Sequence, residues 1–471
     1  MKRVLFSILL AYSALWAQWS KALDMDIFST DDTISKAAVN IDGLPWSCEA
    51  QHVYSLLTLE EMVERVLCHD PKTKQLWAYA KAQAALVGAS QSAYLPRVNG
   101  VASTVIGHND TVSGQLGEYS SHGRHSQLES RISLSWVLYD FGQREAALRS
   151  ARQLLIAANA NQDIQLQETF ILAAQLYYDT LAAQHNLAAA SRVAAVAAEN
   201  LKAADAKYEA GAVALSDRLQ AKTAYIQACL NEVRASGALN SAKGLIAMRM
   251  GMPPQTHLEL AGELTRRPAN QFIKSIDTLL EQAQKYNPSL IAAKARLSAA
   301  MTSLDEAQAA GRPTLSFVAN TSDIKTNQPM SFNGDSRTRD NSVGLQLNIP
   351  LFEGFERRYR MRGVQAQLDA RRAELSDAEQ SVSLSLWSHY QTLKVSTYSL
   401  ESTADWVEQS NLTLKVVQGR YNSGVGSMIE ILNALTAYST AEQQHIIALN
   451  SWQLARLNVA ADLGRLGFWV L

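Results

Sequence analysis

Four stretches of the chain alternate apolar and polar residues with period two, at 97–108, 127–138, 314–324 and 339–349. In the second, Leu128, Ile132, Leu134, Trp136 and Leu138 share one parity, with Ser130 its polar member, while Glu129, Arg131, Ser133 and Ser135 take the other. In the fourth, Val343, Leu345, Leu347 and Ile349 oppose Ser342, Gly344, Gln346 and Asn348. Such alternation predicts strands with one apolar face. A tilted strand needs about ten residues to cross a bilayer, whereas soluble strands usually run to about five or six. The length therefore favours a membrane barrel over a soluble sandwich. Between paired strands lie long, polar, Gly-containing connections at 109–126 and 325–338, and His108, His122 and His125 read as solvated residues of the first.

The rest of the chain has helical periodicity. No proline lies between Pro96 and Pro253 or after Pro350, so helices over 142–209 and 353–420 can each run about 68 residues, roughly 100 Å at 1.5 Å per residue. In the second, Met361, Leu368, Leu375 and Val382 recur every seven residues, and the stripe passes to Leu386, Leu393, Leu400, Val407, Leu414 and Tyr421. A heptad stripe needs a partner helix. The first is rich in alanine, as at 187–190 and 193–198, which permits close helix approach. Each helix ends near Gly211 or Gly424 and reverses into a shorter antiparallel helix, so the helices predict coiled-coil hairpins.

The plan is written twice. Asp70-Pro71 and Pro96 recur as Asn287-Pro288 and Pro313, both prolines 217 positions on. The segments 138–142, 207–211 and 223–225 recur at 351–355, 420–424 and 436–438, each 213 positions on. The implied organisation is a leader at 1–22, an N-terminal extension at 23–56, a first repeat at 57–250, a linker at 251–273, a second repeat at 274–465 and a tail at 466–471. Each repeat reads helix, strand, strand, very long helix, helix. Four strands cannot close a barrel, and open edges are forbidden in lipid. The strands must therefore be shared between copies: two would plug the lumen, whereas three leave a passage.

Composition adds limits. Lys2 and Arg3 followed by an apolar run to about Trp16 make an export leader, with cleavage after Ala17 or Ala22. The net charge of −1, with both signs interspersed, gives no nucleic-acid footprint. No H-E-x-x-H, G-x-S-x-G or Walker A motif is present, so no catalytic, cofactor or metal residues are expected. Cys48 and Cys68 either close a disulfide loop of about twenty residues, worth roughly 3 kcal/mol, or are two unrelated thiols; export favours the disulfide. Cys229 has no obvious partner.

The duplicated plan, the Asn/Asp-Pro pairs with their terminal prolines, the two aromatic-Gly strand exits and the 420–424 motif resemble the TolC-type outer-membrane efflux and secretion family, over about residues 57–465. The resemblance implies a mixed α/β membrane protein: a homotrimeric twelve-stranded outer-membrane β-barrel, four strands per chain, continued by an antiparallel coiled-coil α-helical tunnel in the periplasm. Implied partners are a periplasmic adaptor (membrane fusion) protein, an inner-membrane transporter of ATP-binding-cassette type and outer-membrane lipid, with no nucleic acid. It places the adaptor-contact tips at Gly211, Ala212, Gly424 and Val425. Glu430 falls on a ring of carboxylates that narrows the tunnel, and Asn433 on a second such ring where Asp is usual. Ser216 and Asp217 match residues that tie neighbouring hairpins, with Tyr421 as the aromatic partner. A basic residue expected before Ser427 is replaced by Gly426. From the residues themselves, Ser427-Met428-Ile429-Glu430 is also a capping box, and Asp217 a helix-dipole carboxylate. The cysteine pair resembles members that serve type I protein secretion; a multidrug or small-molecule efflux channel is the alternative, and a secreted coiled-coil structural protein a more distant one.

Overall fold

The computed structural model describes residues 26–34, 56–113, 119–261, 276–327 and 336–466. The leader at 1–22, Cys48, most of the N-terminal extension and most of the linker lie outside them. The first half of the chain gives α1 (Leu59–His69), α2 (Pro71–Ser92), β1 (Arg97–Ser113), β2 (Tyr119–Tyr139), α3 (Gln143–Glu209) and α4 (Leu215–Arg249). The second gives α5 (Ile276–Tyr286), α6 (Pro288–Ala309), β3 (Thr314–Asn327), β4 (Ser336–Asn348), α7 (Glu356–Asn422) and α8 (Met428–Asp462). Matching helices have equal lengths, 11, 22, 67 and 35 residues.

Local chemistry sets the boundaries. Asp70, held extended before Pro71, accepts the Thr73 amide at 2.8 Å, and Asn287 accepts the Ser289 amide at 2.9 Å. Each side chain caps the helix whose first residue is the following proline. The sheet-to-helix turns need two successive left-handed residues, Phe141 and Gly142 in one repeat and Gly354 and Phe355 in the other. The phenylalanine changes place between repeats while the backbone is kept.

The chain forms two compact units. One contains the described parts of Met1–Ile34, Ala80–Ala157 and Lys294–Glu374. Its antiparallel sheet has the order β1-β2-β3-β4. The register aligns Val98, Leu134, Ala319 and Val343 in one cross-strand row, and Asn99, Ser133, Asn320 and Ser342 in the next. With period-two alternation these rows lie on opposite faces. Trp136, Phe317 and Leu345 extend the apolar face, whereas Arg131, Ser322 and Asp340 extend the polar one. β1 and β4 are edges without a partner among the described residues.

The strands are longer than predicted. β1 pairs on to Ser113 against Tyr119, and β3 to Thr326 against Ser336. Of the segments read as long loops, residues 109–113, 119–126, 325–327 and 336–338 are ladder. His108, His122 and His125 sit in strands opposite Arg124, Asp110 and Gly107, not in a loop. These polar extensions lack apolar alternation, so periodicity ended the strands early.

Arg144 anchors the sheet end within this unit. Its guanidinium donates to Asp140 at 2.8 Å, to the Val137 carbonyl at 2.7 Å and to the Ala93 carbonyl at 3.3 Å, over the Tyr94 ring. Ser150 and Ser303 pair at 3.1 Å where α3 and α6 meet.

The second unit contains the described parts of Ser35–Tyr79, Ala158–Ala293 and Leu375–Leu471. Met62, Val63, Val66 and Leu67 of α1 pack on Phe170 and Tyr177 of α3, Ile246 of α4 and Leu457 of α8. Leu57 bridges to Leu260, and Tyr177 donates to the Ala261 carbonyl; burial, then Tyr178, pushes its pKa up to about 12. The heptad stripe of α7 is buried as predicted: Leu386, Leu393 and Leu400 meet Trp452, Ala455 and Val459 of α8. Lower down, Leu414 meets Ala434 and Leu435 together with Ala194, Ala197 and Ala228, so the alanines let the two hairpins pack closely. His389 bonds Asp462 at 2.6 Å, and Ser385 donates to the same carboxylate at 3.0 Å. Ser385 and Asp462 both meet the same ring nitrogen, Nδ1 of His389, so the three side chains form a closed triangle that pins α8 to α7.

Candidate functional site at the hairpin tips

The tips are the turns α3–α4 and α7–α8, both in the second unit. Gly211 donates to the Tyr208 carbonyl at 2.9 Å and Ala212 to the Lys207 carbonyl at 2.8 Å; Gly424 and Val425 repeat this on Tyr421 and Arg420, both at 3.0 Å. The pattern is a Schellman closure, which needs a left-handed residue at the glycine. Gly211 and Gly424 have φ of 73° and 82°. Ala212 and Val425 follow them at the exposed apex.

The returning helices start differently. At α8 the Ser427 hydroxyl accepts the Glu430 amide at 3.4 Å and donates to the Glu430 carboxylate at 3.1 Å. The box thus closes on the hydroxyl, not on the Ser427 backbone amide as the sequence pattern implied. At α4 the N-cap is Ala214, with no side-chain bond. Asp217 occupies the place of Glu430, 213 positions earlier, so each tip presents one carboxylate in the first turn of its returning helix.

Around these carboxylates are cations that the sequence reading missed. Arg420 reaches the second oxygen of Glu430 at 3.4 Å. Arg218 donates to Asp205 at 2.7 Å and lies over the Tyr208 ring at 5.2 Å. Lys207 sits over the Tyr421 ring at 3.9 Å and donates to the Tyr421 carbonyl. A basic residue directly before an aromatic, with Gly three residues further on, was the available signal, present at 207–211 and 420–424.

Tyr421 is 2% exposed and packs among Ala204, Ala221, Met428 and Ile431. Its hydroxyl is buried with no hydrogen-bond partner among the described residues. Burial, then the Asp217 carboxylate, pushes its pKa up. Ser216 donates to Asp217 at 3.4 Å. Tyr421, Asp217 and Ser216 are thus brought to one tip, with Glu430 on the returning helix beside them, while Asn433 is exposed one turn further along. Gly426 has a steric reason: an added Cβ would stand 2.9 Å from the Tyr421 amide nitrogen and 3.2 Å from the Arg420 carbonyl carbon. The basic residue expected there has no room. Cys68 is disulfide-bonded and Cys229 is a free thiol, whereas Cys48 lies outside the described residues.

No helix among the described residues is long and apolar enough to cross a membrane, and no cluster there has the make-up of a metal site. The family described as "Outer membrane efflux protein" matches residues 62–247 and 279–465. The chain belongs to that family. It is 29% identical over 461 residues to protein CyaE of Bordetella pertussis, covering 96% of this chain and 95% of the relative. It is 24% identical over 315 residues to outer membrane protein TolC of Escherichia coli, covering 64% and 62%. With alkaline protease secretion protein AprF of Pseudomonas aeruginosa it shares 21% over 355 residues, covering 75% and 71%. The outer-membrane channel OprN has the same fold, at a TM-score of 0.71 and 21% identity over 88% of this chain and 91% of that one.

The fold is that of the trimeric TolC-like channels: a shared β-barrel in the outer membrane and a helical tunnel in the periplasm. The protein is an outer-membrane efflux or secretion channel, a transport protein and not an enzyme. Such channels are homotrimers that work with a periplasmic adaptor and an inner-membrane transporter.

Proposed function

We propose that this channel is the exit duct of a type I protein secretion system, paired with an ATP-binding-cassette transporter and closed at its hairpin tips. The observation that carries the secretion reading is the likeness along nearly the whole of both chains to protein CyaE, with a second relative named for protease secretion. The disulfide at Cys68, proposed to be with Cys48, supports the same branch. Efflux of drugs or other small molecules is the second reading, favoured by the family description itself.

In the closed duct the Tyr421 phenol donates to Asp217 of an adjacent hairpin, held in place by Ser216. Supporting this, the phenol lacks a hydrogen-bond partner among the described residues and lies in the field of the Asp217 carboxylate on the neighbouring hairpin of its own chain. Glu430 forms a ring of three carboxylates at the mouth, each restrained by Arg420, and Asn433 contributes a neutral ring behind it. The exposed apex residues Gly211, Ala212, Gly424 and Val425 form the adaptor contact. Deleting the gene and comparing the exported proteins by mass spectrometry tests the cargo assignment. Loss of one or a few large secreted proteins, restored by the intact gene, is expected. Unchanged secretion together with heightened drug sensitivity would overturn it in favour of efflux.

A further inference from the structure

The first turns of α3 and α7 occupy matching places in the repeat yet differ in charge. In α3 the positions are Glu145 and Arg149, which pair at 3.1 Å, and Arg149 also reaches Asp305 at 3.4 Å. In α7, 213 positions on, they are Arg358 and Arg362. Two guanidinium groups at this spacing are neighbours on a helix and repel. The nearby carboxylates do not relieve them, because Glu353 pairs with Arg357 and Glu356 with Arg360. Arg358, Tyr359 and Arg362 share an exposed face of α7, turned away from half-buried Met361 and Val364 and buried Leu368.

The surface beside them is apolar. Leu351 is 91% exposed, Phe352 76%, Tyr359 68% and Phe355 64%, and the two phenylalanine rings meet edge to face at 5.5 Å. These residues lie where β4 gives way to the helix, at the periplasmic end of the sheet. Aromatic residues mark the headgroup level of membrane proteins, and arginine holds phosphate through paired, charge-assisted hydrogen bonds.

We propose that this face is a docking surface for phospholipid headgroups of the periplasmic leaflet. Arg358 and Arg362 together hold the phosphate while Leu351, Phe352, Phe355 and Tyr359 enter the acyl boundary. A free phosphate ion would satisfy the arginines and leave the aromatic cluster in water, so the occupant is a lipid. The charge difference from the first repeat is then explained: only the second repeat carries this site.

Native mass spectrometry of the full-length oligomer in detergent tests it, with three probes: phosphatidylglycerol, diacylglycerol without phosphate, and glycerol phosphate without acyl chains. The wild type retains phosphatidylglycerol over both others. The Arg358→Gln/Arg362→Gln variant retains it about tenfold less well, the Arg358→Lys/Arg362→Lys variant largely as the wild type does, and both keep the wild-type copy number. Raising the salt lowers retention by the wild type, a readout that needs no variant. Equal retention in wild type and glutamine variant, equal retention of glycerol phosphate, or indifference to salt overturns the proposal. So does a glutamine variant that falls to a smaller copy number, which makes the face a contact between copies. Planar-bilayer conductance is expected to be unchanged in these variants, so loss of this site is separable from loss of the duct function.

Discussion

Replacing Tyr421 by phenylalanine removes one oxygen from a place where it has no partner among the described residues. The ring keeps its packing against Met428, Ile431 and Ala204, and Lys207 keeps its seat over the ring. No intrachain hydrogen bond is lost, and an orphaned buried hydroxyl costs about 1–3 kcal/mol. Within one protomer the substitution is therefore neutral, or stabilising by up to about 1 kcal/mol. In the closed duct proposed above, with a Tyr421–Asp217 tie at each of three positions, the balance reverses. A hydrogen bond to a carboxylate contributes about 1.5–3 kcal/mol, so three of them hold the closed state by roughly 5–9 kcal/mol. Removing all three should raise the open fraction strongly. Thermal unfolding of the hairpins and single-channel recording separate the two effects: an unchanged or slightly raised midpoint with more open-channel time is expected. A stability lowered by more than about 1 kcal/mol would show an intrachain bond, and unchanged gating would show that the phenol makes no tie in the closed duct; either result refutes the reasoning.

Three further outcomes follow from other parts of the molecule. Arg144→Ala leaves the 7%-exposed Asp140 with backbone amide donors alone and takes the guanidinium donor from the Val137 carbonyl, so it should destabilise by about 2 kcal/mol in denaturant titration; a loss below about 0.5 kcal/mol contradicts the anchoring role. The Asp462 carboxylate raises the His389 pKa despite the opposing effect of burial, so the pair stabilises fully below the ordinary histidine range and the gain is lost as pH rises through the raised value. Asp462→Asn should therefore lower the melting temperature at pH 5 more than at pH 9, on a scale set by the histidine range of about 6.5; a pH-independent difference counts against the ion pair. Glu430→Gln should reduce cation preference and Arg420→Gln should increase it, read from reversal potentials in a salt gradient; shifts of the same sign in both would leave Glu430 as a helix cap alone.

Much of the helical architecture was legible because its determinants are local. The proline pairs, the glycines at 211 and 424 and the heptad stripe each act within one turn or one helix, and each did what its position implied. The strand ends were not legible, since residues 109–113 and 119–125 are in the ladder yet carry no alternating pattern. The tip was legible only in part. Tyr421 lies in the field of Asp217 and Glu430 pairs with Arg420, but Lys207 over Tyr421 joins residues 214 positions apart. No local pattern encodes that contact. The reason for Gly426 is a crowding against residues 420 and 421 in the last turn of α7, which appears only in the geometry of the closed turn.

The central claim is that three copies of this four-stranded sheet close into one conducting barrel. Charge-resolved native mass determination of the detergent-purified particle, with the same particle then inserted in a planar bilayer, tests it most directly. The account predicts a three-chain particle that gives discrete conductance steps, widened by Tyr421→Phe. A particle of two or four chains, or a trimer that never conducts even with that substitution, would contradict it.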